Sequence, residues 1–151
     1  MKKSKKSILV GVFGIILIAI TIAYYKIPLK ANTVFNNGEI KIIDFGFYAN
    51  GNLKSYNVRF ENSKEINQLL NIFNTTRYTR IPGNRNIRND GKLLSMYMFI
   101  KKEKLEFYII DINDKGYLKV NKDIYKLTDR HSQIFDELYD ILVGNHKPSN
   151  E

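Results

Sequence analysis

Eighteen consecutive positions, 8–25, carry no charge, and eleven of them are Ile, Leu, Val or Phe. At ~1.5 Å per residue this run is about 27 Å long, close to the ~30 Å hydrocarbon thickness of a bilayer. The pattern predicts one transmembrane helix, with Tyr24 and Tyr25 at the headgroup level, where aromatic rings are favoured. Positions 27–37 contain Pro28 and Asn36-Asn37 without any periodicity, and read as a short stalk.

From Glu39 the pattern becomes that of a folded domain. Positions 39–48 are apolar, β-branched and aromatic, with a phase shift at Ile42-Ile43 that predicts a bulge. Asn50-Gly51 is a hairpin signal, and 53–60 alternates, with Tyr56, Val58 and Phe60 on one face. Asn62 can cap a helix in which Ile66, Leu69, Leu70 and Phe73 form one stripe. Positions 77–92, with Pro82 and two glycines, read as a long loop. Two strands follow at 93–101 and 105–112, joined by Lys102-Glu103-Lys104. The turn Asn113-Asp114-Lys115-Gly116 leads into a short hairpin at 117–120 and 124–127. Thr128 or Asp129 can cap a last helix with the stripe Ile134, Phe135, Leu138, Ile141 and Leu142; Gly144 stands where a left-handed closing residue belongs, and Pro148 follows.

The expected fold is α+β: an antiparallel sheet of about five or six strands with two helices on one face, in the order ββα-ββββ-α, preceded by one N-terminal transmembrane helix. The expected divisions are a cytoplasmic basic tail at 1–7, a signal-anchor at 8–25, a stalk at 26–38, an extracytoplasmic domain at 39–144 and a tail at 145–151.

Charge sets the orientation. Lys2, Lys3, Lys5 and Lys6 precede the apolar run and Lys26 and Lys30 follow it, which retains the N-terminus in the cytoplasm and places the domain outside. Those six lysines carry most of the net +9; from Asn32 onward 18 basic residues face 15 acidic ones. A surplus of +3 is too small for a nucleic-acid-binding face. The competing reading is a cleaved signal peptide, with Thr21-Ile22-Ala23 or Leu29-Lys30-Ala31 as the small-x-small site and secretion as the outcome. The absence of cysteine excludes disulfides, thiol catalysis, zinc–thiolate sites and a lipid-modified Cys.

The stretch 77–92 holds four of the six arginines and a local charge of +4. Arg77, Arg80, Arg85, Arg88 and Lys92 are therefore the candidate binding residues, for phosphate, an anionic envelope polymer, lipid headgroups or a partner's carboxylates. A solvated loop with internal ion pairs explains the same residues. Its glycines do not make a phosphate-binding Walker loop, since no Ser or Thr follows Lys92. Asp111-Ile112-Asn113-Asp114-Lys115-Gly116 resembles the first half of a calcium loop, but the twelfth position, where a bidentate Glu is needed, is Lys122, and a hairpin turn explains the same residues. His131 and His146 lack metal-ligand spacing, and Asp136, Glu137 and Asp140 fall on the wet side of the last helix. No serine sits in Gly-x-Ser-x-Gly. Of the strand aromatics Tyr97, Phe99, Phe107, Tyr108, Tyr117 and Tyr125, half are expected in the core. The others can form a platform on the second sheet face.

In its basic start, apolar helix, hairpin, helix, polar loop, sheet and closing helix, the chain resembles the small, uncharacterised, membrane-tethered domains of low-GC Gram-positive bacteria. Such families imply no activity and no functional residues. The expected function is a non-enzymatic membrane-anchored binding or accessory module, with the bilayer as one partner through 8–25, a protein or anionic envelope component as the other, and no cofactor, metal or nucleic acid. The alternatives are an envelope-polymer hydrolase using Asp111 or Asp123, and an immunity-type protective protein.

Overall fold

In a computed structural model the uncharged run lies within a 25-residue helix, α1 (Lys2–Lys26). The structure describes residues 2–35, 39–49, 52–60, 63–101, 105–128 and 130–144, with the backbone alone at 2–8, 39–43, 49, 52–60, 63, 100–101, 105 and 131. The window Leu9–Lys26 has a mean hydropathy of 2.0, and none of it is buried. By length and composition α1 can cross a membrane, and it is no core helix of the domain.

The next residues depart from the expected stalk. Leu29 N donates to Tyr78 O at 2.6 Å, and Tyr78 N donates back to Leu29 O at 3.1 Å. A single helical turn, α2 (Ala31–Val34), then buries Ala31 and Val34. The Phe35 ring sits 5.1 Å from that of Phe73 and 6.1 Å from that of Tyr78. Ala31, Val34 and Phe35 are spaced i, i+3, i+4, so one turn presents one apolar stripe; a single turn is too short to register as periodicity. The packed domain therefore begins at Leu29, and of the expected stalk only Ile27 and Pro28 connect it to α1.

The remaining elements are β1 (Glu39–Ala49), β2 (Asn52–Phe60), α3 (Ser63–Thr75), β3 (Tyr78–Arg80), β4 (Leu93–Lys101), β5 (Leu105–Asn113), β6 (Tyr117–Val120), β7 (Asp123–Leu127) and α4 (His131–Tyr139), which widens into a π-helical turn at Asp140–Gly144. The fold is α+β, with the six expected strands in one antiparallel sheet. A three-residue seventh, β3, joins at the β7 edge, giving the order β2-β1-β4-β5-β6-β7-β3. Register shifts between Ile40 and Ile42 and between Asp44 and Phe45 bracket the expected bulge.

Alternation divides the strands between two faces. Phe45, Phe47, Leu94, Met96, Met98 and Ile110 are among the residues that meet the helices. The stripes on α3 and α4 are buried as their spacing requires, with Ile72 and Val143 added and Leu70 and Ile141 packed at the margin. Two termini differ from expectation. Arg130, at φ +46°, precedes α4 and ties its first turns together through Gln133 and Glu137 instead of a side-chain cap. Gly144 is not left-handed, because the chain closes the helix by widening it. The signals at Asn36-Asn37, Asn50-Gly51, Asn62, Lys102-Glu103-Lys104, Asp129, His146 and Pro148, and the facing of Tyr56, Val58 and Phe60, lie outside the described residues.

Candidate functional site

The stretch expected to be a long loop is partly strand and partly a lid on the second sheet face. Tyr78 is buried, and its hydroxyl donates to Phe73 O at 2.8 Å. Its backbone is paired with Leu127 on one side and Leu29 on the other. Further along, Ile87 is buried against Leu93 and Ile124, with Tyr48, Ile81 and Tyr117 around it. Asn113 fastens this lid: its Nδ2 donates to Ile87 O at 3.2 Å, while its Oδ1 accepts from Tyr117 N at 2.9 Å. Gly91, at φ +111°, passes so close to the Asp114 carboxylate that no Cβ fits between them.

The five candidate basic residues do not converge on one anion site. Arg85 gives Nε and Nη2 to Asp90 Oδ2 at 3.0 and 2.7 Å, and its guanidinium lies 4.2 Å from the Tyr117 ring centre. The hydrogen bond to Asp90 raises its pKa above the usual arginine value. Arg88 Nε donates to Asp111 Oδ2 at 3.1 Å, and that bond likewise raises the pKa of Arg88. Arg80 stacks over the Tyr24 ring at 4.3 Å and donates to Tyr24 O at 3.3 Å. Arg77 and Lys92 are exposed, and each contributes a backbone carbonyl, to Thr128 N and Asp114 N respectively. Ile87 anchors the lid because an apolar side chain amid polar neighbours finds cover only on the sheet.

The carboxylates considered for hydrolysis are also separated. Asp111 is buried and accepts from Ser95 Oγ at 2.6 Å as well as from Arg88. Asp123 lines a different cavity, at the end of α1. Asp111 and Asn113 of the half calcium loop are taken up by these protein partners. Among the described residues no cluster of three or more His, Asp or Glu is placed to hold a metal ion.

Two features outside the lid remain open, one on the second sheet face and one at the β3 edge. The lid covers the half of the sheet near Leu93, Asn113 and Ile124. Beyond it stand Tyr97, Phe99 and Phe107, on the alternate positions to Met96, Met98 and Tyr108. Tyr97 and Phe107 stack at 5.8 Å with planes 15° apart, and Phe99 is 5.2 Å from Phe107. Phe107 is 47% exposed, and beyond Ile27 it is the only large hydrophobic residue so exposed among those whose side chains are described. Of the six strand aromatics, Tyr125 and Tyr108 belong to the core side and Tyr117 packs under the lid, so the main core takes two where half were expected. The second feature is a cavity of ≈ 370 Å³ where Tyr24 and Tyr25 of α1 meet Arg80, Lys122, Asp123 and Tyr125. Sequence reasoning missed it, because it exists only once β3 brings Arg80 back to the helix end.

No family model, curated protein or solved structure matches this chain.

Proposed function

We propose that this protein is a single-pass, membrane-anchored binding module whose domain is held on the outer face of a bacterial cytoplasmic membrane and docks a partner protein on the open aromatic half of its sheet. The lysine distribution around α1 supports the orientation. Of the two candidate cleavage sites the fold opposes the second: cleavage after Ala31 would strip Leu29 from the sheet and Ala31 from the core. Retention rests on the other site, Thr21-Ile22-Ala23, lying inside the apolar run. The observation that carries the binding reading is Phe107, exposed beside Tyr97 and Phe99, where the other large apolar side chains described beyond Ile27 are covered. Clustered aromatics of this kind are typical anchors of protein interfaces. Stacking of Tyr97 on Phe107 spends ring faces on each other, which favours a side-chain partner over a sugar that needs a flat ring face.

A photo-crosslinking residue at position 107 of the full chain, in its native membranes, tests this. A discrete protein adduct is expected at 107, absent with the same label at exposed Gln68 and lost when Tyr97→Glu is added. Equal labelling at both positions, or no protein adduct at 107, would eliminate the surface.

A further inference from the structure

The cavity at the junction of α1 and the sheet has an unusual set of walls for so small a domain. It is mainly polar, and its ≈ 370 Å³ lies within the size range of small-ligand sites. Arg80 and Lys122 bring two positive charges to it and Asp123 one negative, with Lys26 and Lys30 just beyond the helix end. Arg85, Arg88 and Arg130 are each paired with a carboxylate, whereas the described contacts of Arg80 are the Tyr24 ring and the Tyr24 carbonyl. A guanidinium has five N–H donors in a fixed fork. With Nη1 turned to the helix end, the rest of the fork is available to an anion. Tyr24, Tyr25 and Tyr125 supply phenol groups around the same space.

We propose that this cavity binds the phosphodiester of an anionic, hydroxyl-bearing glycerophospholipid headgroup, with Arg80 as the principal ligand, Lys122 as the second cation and Asp123 accepting from the headgroup hydroxyls. The inference rests on the reading of α1 as a membrane anchor, which puts Tyr24 and the Arg80 stacked upon it at headgroup depth. A lone phosphate would meet repulsion from Asp123; a polyol phosphodiester turns that carboxylate into an acceptor. The same chemistry is offered by a soluble glycerophosphodiester such as glycerophosphoglycerol, and the two sources are separable.

The full chain is reconstituted in nanodiscs of equal phosphatidylglycerol and phosphatidylcholine, extracted in mild detergent, and its retained lipid is weighed by native mass spectrometry. Wild type is expected to keep phosphatidylglycerol in preference by about tenfold, the equivalent of one charge-assisted hydrogen bond. Arg80→Gln should abolish the preference. Lys122→Gln, which touches no part of α1 among the described contacts, should reduce it with the melting curve unchanged. An unchanged preference in both variants, or none in wild type, overturns the proposal. Stripping of the lipid by millimolar glycerophosphoglycerol, with equal affinity in lipid-free micelles, would assign the site to a soluble diester and overturn the lipid identity. Failure of the chain to stay in the pellet after alkaline carbonate extraction would overturn the anchor itself, a result distinct from a membrane-bound protein without lipid preference.

Discussion

Replacing Arg88 with Gln separates a pinned lid from a free anion-binding loop. Arg88 donates to Asp111 Oδ2 at 3.1 Å, and the Asp111 side chain is only 3% exposed while that of Arg88 is 49% exposed. Removing one partner of a fully buried pair costs about 3–5 kcal/mol, whereas exposed pairs contribute about 0–1 kcal/mol. Here the carboxylate is buried and the cation half-wet, so solvent recovers part of the loss. Ser95 also remains as one donor, at 2.6 Å. The expected cost of Arg88→Gln is about 2 kcal/mol, or ~8 °C in melting temperature at roughly 4 °C per kcal/mol for a domain of this size. Asp111→Asn should cost about 1–2 kcal/mol, because the amide keeps an oxygen for Ser95 but turns donors toward Arg88. Combining the two should cost less than their sum by about 1 kcal/mol or more, the signature of residues in contact. Thermal melts followed by circular dichroism on the full chain in detergent give all four corners of the cycle. An Arg88→Gln protein melting within a degree or so of wild type, with additive effects, would show that the salt link is decorative and the loop free to seek anions.

Two further outcomes follow from burial. Val34→Asp, harmless in a flexible stalk, should cost more than about 3 kcal/mol by forcing a charge into the core beside α3, and a melting curve near wild type would return 27–35 to linker status. Burial, and after it the charge of Asp123, raises the pKa of the Tyr125 phenol above 10, with Arg80 opposing. A folded value above the unfolded one means the stability tied to this proton is complete below about pH 10 and lost as pH rises through the folded value. Between about pH 9 and about pH 11, Tyr125→Phe should therefore lose less melting temperature than wild type; parallel declines would refute the assignment.

The long periodic elements were legible because each repeats its signal several times. Ile66, Leu69 and Phe73 declare a helix over two turns, and the strands of 93–101 and 105–112 declare themselves by length and apolar and aromatic content. What escaped was short and held by distant partners. Tyr78–Arg80 is three residues, the last an arginine and with another just before it, too brief for alternation, and it becomes a strand because β7 and Leu29 flank it. Tyr78-Thr79 carries some β preference, and an isolated Ile87 amid polar residues was the one hint of a lid. The charge surplus at 77–92 was read correctly as composition and incompletely as function, since Asp90 and Asp111 take up Arg85 and Arg88. Asp111 lies 23 residues from Arg88, and no local rule connects them.

β3 also changes what the anchor can do. A free linker over 26–38 would let the domain wander by about 20 Å relative to the membrane, from ~5–6 Å times the square root of its length. Instead Ile27 and Pro28 alone separate α1 from Leu29, and Arg80 grips Tyr24 from the other side. The orientation of the sheet is thus set during folding, when the core supplies the free energy, and no longer has to be ordered at each encounter with a partner. The same three residues lengthen the sheet, fasten it to α1 and bring a guanidinium to the level of the last helical tyrosines. If α1 spans the bilayer as proposed, a tether built this way confines Tyr97, Phe99 and Phe107 to one attitude above it. That restriction favours a partner also fixed in the membrane plane, because two surfaces already oriented lose less rotational freedom when they meet.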